Sequence, residues 1–361
     1  MPLFAPTVTL NNGLKMPVLG LGTWQAREGE AVEAVKAALD AGYRHIDTAY
    51  LYGNEKEVGH AIRDKIAEGV IRREDVFVTT KLWNTFHDPK QVEEAFNRSM
   101  ANLDIGYIDL YLMHCPVSFK FSGWQVQKSD PVEFTEVDIV DTYRAMEKLL
   151  ETGNVKSIGV SNFNSEQITR IVNECKVRPV TNQVECNPTL NQRKLIEFCR
   201  KLGIVITAYS PLGRPNQVSG NGNKSAIDDP RVLEIAKKYN KSPGQIILKY
   251  LLDIGTVPIP KSANPDRLRQ NIDLFDFKLS AEEVETMDGF NTGKRIVDIA
   301  YLADHNRAIQ KVGLNMNWER EVGFGAAAEV LATCNADKDV DQGIKVEKFS
   351  LAVGEQVEEE L

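Results

Sequence analysis

Apolar and polar positions change period repeatedly along the chain. Short runs that are almost wholly apolar alternate with longer stretches in which apolar residues return every three or four positions. The short runs predict strands at Val18–Gly22, Arg44–Asp47, Val76–Lys81, Ile108–His114, Ser157–Ser161, Asn182–Glu185, Ile204–Tyr209 and Thr256–Pro260. Between them the spacing predicts helices at Glu28–Ala41, Glu55–Glu68, Pro89–Leu103, Ile139–Thr152, Ser165–Asn173, Gln192–Leu202 and Arg231–Asn240. Another helix, Ser242–Asp253, opens with Ser242 as N-cap and Pro243 at the first helical position. Asn264–Asn271 predicts one more after the last strand. Ahead of the series, Thr7–Leu10, the turn Asn11-Asn12-Gly13 and Leu14–Val18 predict a small hairpin.

Strands that each lead into a helix predict an α/β fold, a parallel sheet closed into a (β/α)8 TIM-type barrel. An open, doubly wound sheet competes with it. That sheet would carry Gly-x-Gly-x-x-Gly after the first strand, and here Gly20-Leu21-Gly22-Thr23-Trp24-Gln25 lacks the third glycine. The repeat ends near Phe290, and the last 71 residues do not continue it. They include a helix-like Ala326–Ala332 and an alternating Ile344–Val353. The final 27 residues hold eight acids and three bases, the composition of a solvated, partly disordered tail.

Composition narrows the partners. The 361 residues include 43 Lys and Arg against 51 Asp and Glu, a net charge of −8, which argues against nucleic acid. At 42% hydrophobic and 26% charged residues the chain can build a full core, so disorder throughout is excluded. Cys115, Cys175, Cys186, Cys199 and Cys334 are odd in number and scattered, without C-x-x-C, so neither a zinc ribbon nor a redox dithiol is expected. The N-terminus lacks the charged and apolar regions of a signal peptide, and no apolar run reaches membrane-spanning length. A cytoplasmic location is the expectation.

A barrel enzyme places its chemistry where strands end. Those positions hold Thr23 and Trp24, Asp47 with Tyr52 just beyond, Lys81, His114, Ser161 and Asn162, Gln183, Tyr209 and Ser210, and Lys261 and Ser262. Asp47, Tyr52, Lys81 and His114 come from three consecutive connections and can converge. A free tyrosine, with a pKa of about 10, is a poor acid at neutral pH. A nearby ammonium lowers that value, and an aspartate can hold the ammonium charged. Asp47–Lys81–Tyr52 therefore reads as a tuned proton donor, with His114 able to bind a substrate oxygen. Alone, an Asp–Lys pair is ordinarily structural, a loop tyrosine packs, and a strand-end histidine belongs to the core; the set of four carries the weight. His45, Asp47 and His114 could form a metal site, but Lys81 puts a cation where the metal would sit, and no metal is expected. A Schiff base on Lys81 would leave the other strand ends unexplained.

Three stretches resemble the aldo-keto reductase family: residues 42–55 (GYRHIDTAYLYGNE) followed by Val58-Gly59, residues 156–163 (KSIGVSNF) and residues 259–271 (IPKSANPDRLRQN). The resemblance runs from about Thr7 to about Arg295. It implies a (β/α)8 barrel over residues 1–295 with the hairpin plugging its bottom, and a C-terminal loop and extension over 296–361. It implies catalysis by Asp47, Tyr52, Lys81 and His114. It places nicotinamide contacts on Ser161, Asn162 and Gln183, a stacking ring on Tyr209, and pyrophosphate contacts on Ser210 and Leu212, with Thr23, Trp24 and Asp47 also against the cofactor. The 2′-phosphate falls to Lys261, Ser262 and Arg267, and the adenine to Gln270 and Asn271, which favours NADPH.

The implied activity is NADPH-dependent reduction of an aldehyde or ketone to an alcohol, with Tyr52 as general acid, in a monomer. A dinucleotide-binding barrel without turnover, serving as a structural or regulatory subunit, is the alternative. Trp24, Tyr52, Trp83, His114, Cys115, Phe119 and Trp124 fall at the substrate pocket in this resemblance. Cys115 stands where several members carry tryptophan, and Asn187 and Thr189 replace bulkier residues. The family's C-terminal loop does not match here, so Asp298–Glu319 is expected to supply it, with Tyr301, His305 and Trp318 as candidate contacts.

Overall fold

An Asn-Asn-Gly turn reverses the chain near its start. In the computed structural model, which describes residues 4–26, 29–126, 133–213 and 225–297, β1 (Thr7–Thr9) pairs antiparallel with β2 (Lys15–Pro17). The Asn12 side chain accepts the Leu14 N–H at 3.2 Å, which closes the turn. Leu10 and Met16 are buried against Phe77, Leu110, Leu112, Val180 and Val257, so the hairpin caps the end of the barrel where these strands begin.

The barrel strands are β3 (Leu21–Gly22), β4 (His45–Asp47), β5 (Phe77–Leu82), β6 (Leu110–Met113), β7 (Ile158–Ser161), β8 (Thr181–Glu185), β9 (Val205–Tyr209) and β10 (Thr256–Pro258). They lie parallel in chain order, each bonded to the next. Residues on both faces of these strands are buried, as a sheet between a packed interior and a ring of helices requires. The sheet closes on itself: the N–H groups of Gly20 and Gly22 donate to the carbonyls of Pro258 and Pro260 at 3.1 and 3.2 Å. A Cβ on Gly22 would stand 2.8 Å from the Ile259 carbonyl oxygen, so the seam needs glycine there. Closure rules out the open doubly wound sheet.

Around the sheet run α1 (Glu30–Ala41), α2 (Glu55–Ala67), α3 (Val92–Leu103), α4 (Ile139–Leu149), α5 (Ser165–Glu174), α6 (Arg193–Lys201), α7 (Pro230–Tyr239), α8 (Pro243–Asp253), α9 (Pro265–Ile272) and α10 (Ala281–Asp288). The expected cap of α8 forms reciprocally: Ser242 Oγ accepts the Gln245 N–H, and Gln245 Oε1 accepts the Ser242 N–H. Helix α10 was not among the sequence expectations. It is short, but Ser280 and Glu283 make the same reciprocal cap at its start. The first strand is shorter than expected because the Val18 N–H bonds back to the Pro6 carbonyl and belongs to the hairpin. The expected Ala326–Ala332 and Ile344–Val353 elements lie outside the described residues, as do Tyr301, His305 and Trp318.

Candidate active site

The strand ends bring four polar side chains together. Asp47 is the last residue of β4, and Lys81 is the fifth of β5's six residues. His114 directly follows β6, and its N–H donates to the Leu82 carbonyl at 3.1 Å. Tyr52 closes a single 3-10 turn, Tyr50–Tyr52, five residues beyond Asp47. Lys81 Nζ donates to Asp47 Oδ1 at 2.7 Å and to the Thr48 carbonyl at 2.8 Å, and stands 3.4 Å from the Tyr52 hydroxyl. Gln183 Nε2 donates to the other Asp47 oxygen at 2.7 Å. The Asp47–Lys81 pair is buried, and each of its charges has hydrogen-bonding partners, which is the condition for keeping an ion pair out of water.

The ionisation of these groups departs from expectation at one point. Burial, then the Asp47 carboxylate, pushes the Tyr52 phenol well above its ordinary value. The lowering expected from Lys81 is not met. Burial penalises the phenolate most, and the Asp47 charge adds to that, so the ammonium 3.4 Å away does not bring the value down. The phenol therefore keeps its proton through the neutral range, which is the state a proton donor needs. Burial leaves Lys81 below its ordinary value, with Asp47 and Glu55 offsetting part of that, and three oxygens stand around its Nζ to accept its hydrogen bonds. Burial, then Lys81 and His87, push His114 well below its ordinary value, leaving a neutral imidazole.

An aromatic wall rises from this group. The Trp24 ring lies 4.7 Å from Tyr52, Trp83 lies 5.1 Å from His114, and Phe119 lies 5.9 Å from Trp83. Phe134, which the sequence did not single out, extends the wall at 5.5 Å from Phe119. Cys115 is buried behind it, with its sulfur 3.6 Å from Asn162 Nδ2. Trp124 joins a second cluster instead, stacked at 5.0 Å on Phe86 with the Arg98 guanidinium 4.2 Å above it.

The opposite strand ends carry amides and hydroxyls. Asn162 donates to the His114 carbonyl at 3.0 Å and accepts from the Tyr209 hydroxyl at 2.9 Å. Ser161 Oγ donates to the Gln183 carbonyl at 2.8 Å, and Thr23 Oγ1 to the Asp47 carbonyl at 3.0 Å. Asn162 and Ser210 both sit in the left-handed region, at φ 63° and 49°, where a side chain other than glycine carries strain of the kind found at functional sites. The Leu212 carbonyl accepts from Ser225 at 2.7 Å. Around the start of α9, Lys261 and Arg267 are exposed and Ser262 is buried, while Lys261 Nζ pairs with Glu30 at 2.8 Å. Asn264 caps that helix by accepting the N–H groups of Asp266 and Arg267. Farther along α9, Gln270 is exposed and Asn271 buried.

Residues 18–292 match the sequence profile of the Aldo/keto reductase family. The chain belongs to that family. It is 46% identical over 295 residues to aldo-keto reductase family 1 member A1-A of Danio rerio, covering 81% of this chain and 91% of that one. It is 45% identical to human aldo-keto reductase family 1 member C1, with 82% and 94% covered. The crystal structure of a Bombyx mori aldo-keto reductase (AKR2E4) in complex with NADP superposes with a TM-score of 0.78 at 44% identity, over 84% of this chain and 98% of that one. As an aldo-keto reductase the protein is an oxidoreductase of carbonyl compounds, and neither the site nor these relatives favour a barrel without turnover.

Sequence reasoning also passed over Asn54, Glu55 and Glu185. All three are polar and buried beside the strand ends. Both oxygens of Glu185 accept backbone N–H groups, from Ile296 at 2.7 Å and Val297 at 3.1 Å. The available signal was a carboxylate two residues past Gln183 on the same strand, which places both side chains on one face.

Proposed function

We propose that this aldo-keto reductase transfers hydride from NADPH to the carbonyl carbon of an aldehyde or ketone, with Tyr52 as the proton donor. The observation that carries the assignment is Lys81, whose ammonium meets Asp47 at 2.7 Å and Tyr52 at 3.4 Å. The donor set fits the cofactor. Ser161, Asn162 and Gln183 offer the hydroxyl and amides that a carboxamide needs, and Tyr209 offers a flat ring. Ser210 and Leu212 would hold the pyrophosphate, and Thr23 and Trp24 would also stand against the cofactor. Lys261, Arg267 and Ser262 surround a helix N-terminus suited to a 2′-phosphate, with Gln270 and Asn271 near the adenine.

When bound, NADPH supplies the hydride. His114, as a neutral imidazole, donates a hydrogen bond to the carbonyl oxygen and orients it. As the carbon gains hydride, negative charge grows on that oxygen, and the Tyr52 O–H bond breaks to give it a proton. Lys81 stabilises the tyrosinate left behind, and Asp47 holds Lys81 charged. Solvent then restores the proton to Tyr52, and the product is the alcohol. Trp24, Trp83, Cys115, Phe119 and Phe134 make the pocket apolar, so its substrates carry an apolar or aromatic body beside the carbonyl, and Trp124 supports the rim from the second cluster.

The enzyme is read as a cytoplasmic monomer without nucleic-acid partners; among the described residues no helix is long and apolar enough to cross a membrane. Residues 1–295 are read as the barrel and 296–361 as the C-terminal loop and extension.

The test is NADPH oxidation against a panel of aldehydes and ketones, beside Tyr52→Phe. General acid catalysis is worth about 10²–10⁴-fold, so the variant is expected to lose that much turnover while binding NADPH as before. Full turnover in the variant would remove Tyr52 from the mechanism. Tight NADPH binding by the parent, with no turnover on any carbonyl, would favour the non-catalytic barrel.

A further inference from the structure

Asn54 and Glu55 follow Tyr52 by two and three residues and are 5% and 2% exposed. Their side-chain hydrogen bonds go to Thr23, Thr48, Thr80 and Asn102, and the Glu55 charge also acts on Lys81. Asn54 spans two strand ends. Its Nδ2 donates to the Thr23 carbonyl at 2.9 Å, and its Oδ1 accepts from Thr48 Oγ1 at 2.8 Å. Both partners are themselves tied to the Asp47–Lys81 pair. The Thr23 N–H and hydroxyl each donate to the Asp47 carbonyl at 3.0 Å, and the Thr48 carbonyl accepts from Lys81 Nζ at 2.8 Å.

Glu55 works on the outer side of the barrel. Its Oε1 accepts from Thr80 Oγ1 at 2.6 Å and its Oε2 from Asn102 Nδ2 at 3.0 Å. Thr80 precedes Lys81 in β5, and its side chain points to the opposite face of the strand. Asn102 lies in the last turn of α3. The short turn that carries Tyr52 is therefore fastened just past its end to β3, to the end of β4, to β5 and to α3. Burying an amide and a carboxylate is unfavourable unless they are bonded, and packing alone would be served by apolar residues.

We propose that Asn54 and Glu55 are positioning residues that set the distance between the Tyr52 hydroxyl and Lys81. They act through Tyr52 and do not touch the substrate. The inference rests on Tyr52 as proton donor, so its test is a double-mutant cycle that separates the two ideas. In the otherwise unchanged full-length enzyme, Asn54→Ala and Glu55→Ala are each expected to lower kcat about tenfold or more, since displacing a reacting group by about 1 Å can cost 10²-fold. The carbonyl KM and the NADPH Kd should stay within about twofold, and the solvent deuterium isotope effect on kcat should rise because proton transfer has become slower. In the Tyr52→Phe background the same substitutions should cost nothing further, because the group they position is gone.

A kcat loss that persists undiminished in the Tyr52→Phe background would overturn the proposal. So would an unchanged kcat per active site and an unchanged isotope effect, with only the melting temperature lowered. Unaltered turnover by Tyr52→Phe alone would instead overturn the proton-donor assignment itself. Should Asn54→Ala fail to fold, Thr48→Val breaks the same hydrogen bond from its other end and takes its place in the cycle.

Discussion

The two ends of the proposed cofactor groove are built on opposite plans. At the Tyr52 end, Asp47, Lys81, Gln183, Asn54 and Glu55 are buried, and their polar atoms are bonded to the strands, to the residues that follow them and to α3. At the α9 end, Lys261 and Arg267 are exposed side chains around one helix start. The difference follows from what each end must do. Proton transfer depends on distances good to fractions of an ångström, which only a buried, bonded frame can hold. Holding a phosphate is a matter of charge and reach, which exposed cations on a helix N-terminus supply. The buried end should thus respond to substitution in both rate and stability, the exposed end in affinity alone.

The largest effect is expected from Lys81→Met. It removes the partner that keeps the Asp47 carboxylate charged in the interior, and breaking a buried ion pair costs about 3–5 kcal/mol. Denaturant titration should show a loss of that order, and NADPH oxidation should fall at least as far as in Tyr52→Phe. A variant as stable as the parent would mean that water reaches Asp47, and the contrast between the two ends would weaken.

Acid should act on the buried interior as well, through His87, which acts on His114, and through His45 at the start of β4. Burial pushes His45 down to about 4 and His87 down to about 3, from an ordinary value of 6.5. Both are bases held neutral in the fold, whereas the unfolded chain takes up a proton below 6.5. Stability therefore falls as pH drops from 6.5, and each loss levels off only below its folded value. By pH 5 each histidine should have cost about 2 kcal/mol. Urea titrations between pH 7 and pH 5 should show the decline, and His45→Gln should flatten its slope. A parent enzyme equally stable at both pH values would show that these imidazoles gain protons without unfolding.

Much of this layout was legible in the sequence, for particular reasons. Strand ends could be located because each short apolar run stops where a polar residue enters, as at Asp47 and Lys81. The cap of α8 could be read because Ser242-Pro243 is a local signal that needs no partner elsewhere. Asn54 could not, because its role lies in bridging Thr23, 31 residues away, to Thr48, six residues away across the turn. The company of Trp124 was unreadable for a similar reason: an aromatic residue in a loop carries no sign of which rings it will stack on. The direction of the Tyr52 shift was unreadable for another. Its sign is set first by how deeply the phenol is buried and then by the nearby Asp47 charge. Residue types alone do not tell how deep a loop tyrosine will lie.

The smallest expected effect belongs to the exposed end. Arg267→Ala and Lys261→Ala should each raise the Kd for NADPH about tenfold, the scale of one charge-assisted contact, about 1.4 kcal/mol. The Kd for NADH should hardly move, since that cofactor has no 2′-phosphate. Lys261 begins with a competitor, the Glu30 carboxylate at 2.8 Å, so part of its attraction for phosphate is spent on leaving that partner. Its substitution should therefore weaken NADPH binding less than that of Arg267. Screening by salt should shrink both losses, because the groups are exposed. Melting temperatures should stay near that of the parent, as exposed ion pairs contribute little to stability. Fluorescence titration of both cofactors at two ionic strengths gives the comparison. Equal loss of NADH and NADPH affinity would place Lys261 and Arg267 on a part of the cofactor common to both, and the preference for NADPH would have to come from elsewhere in the groove.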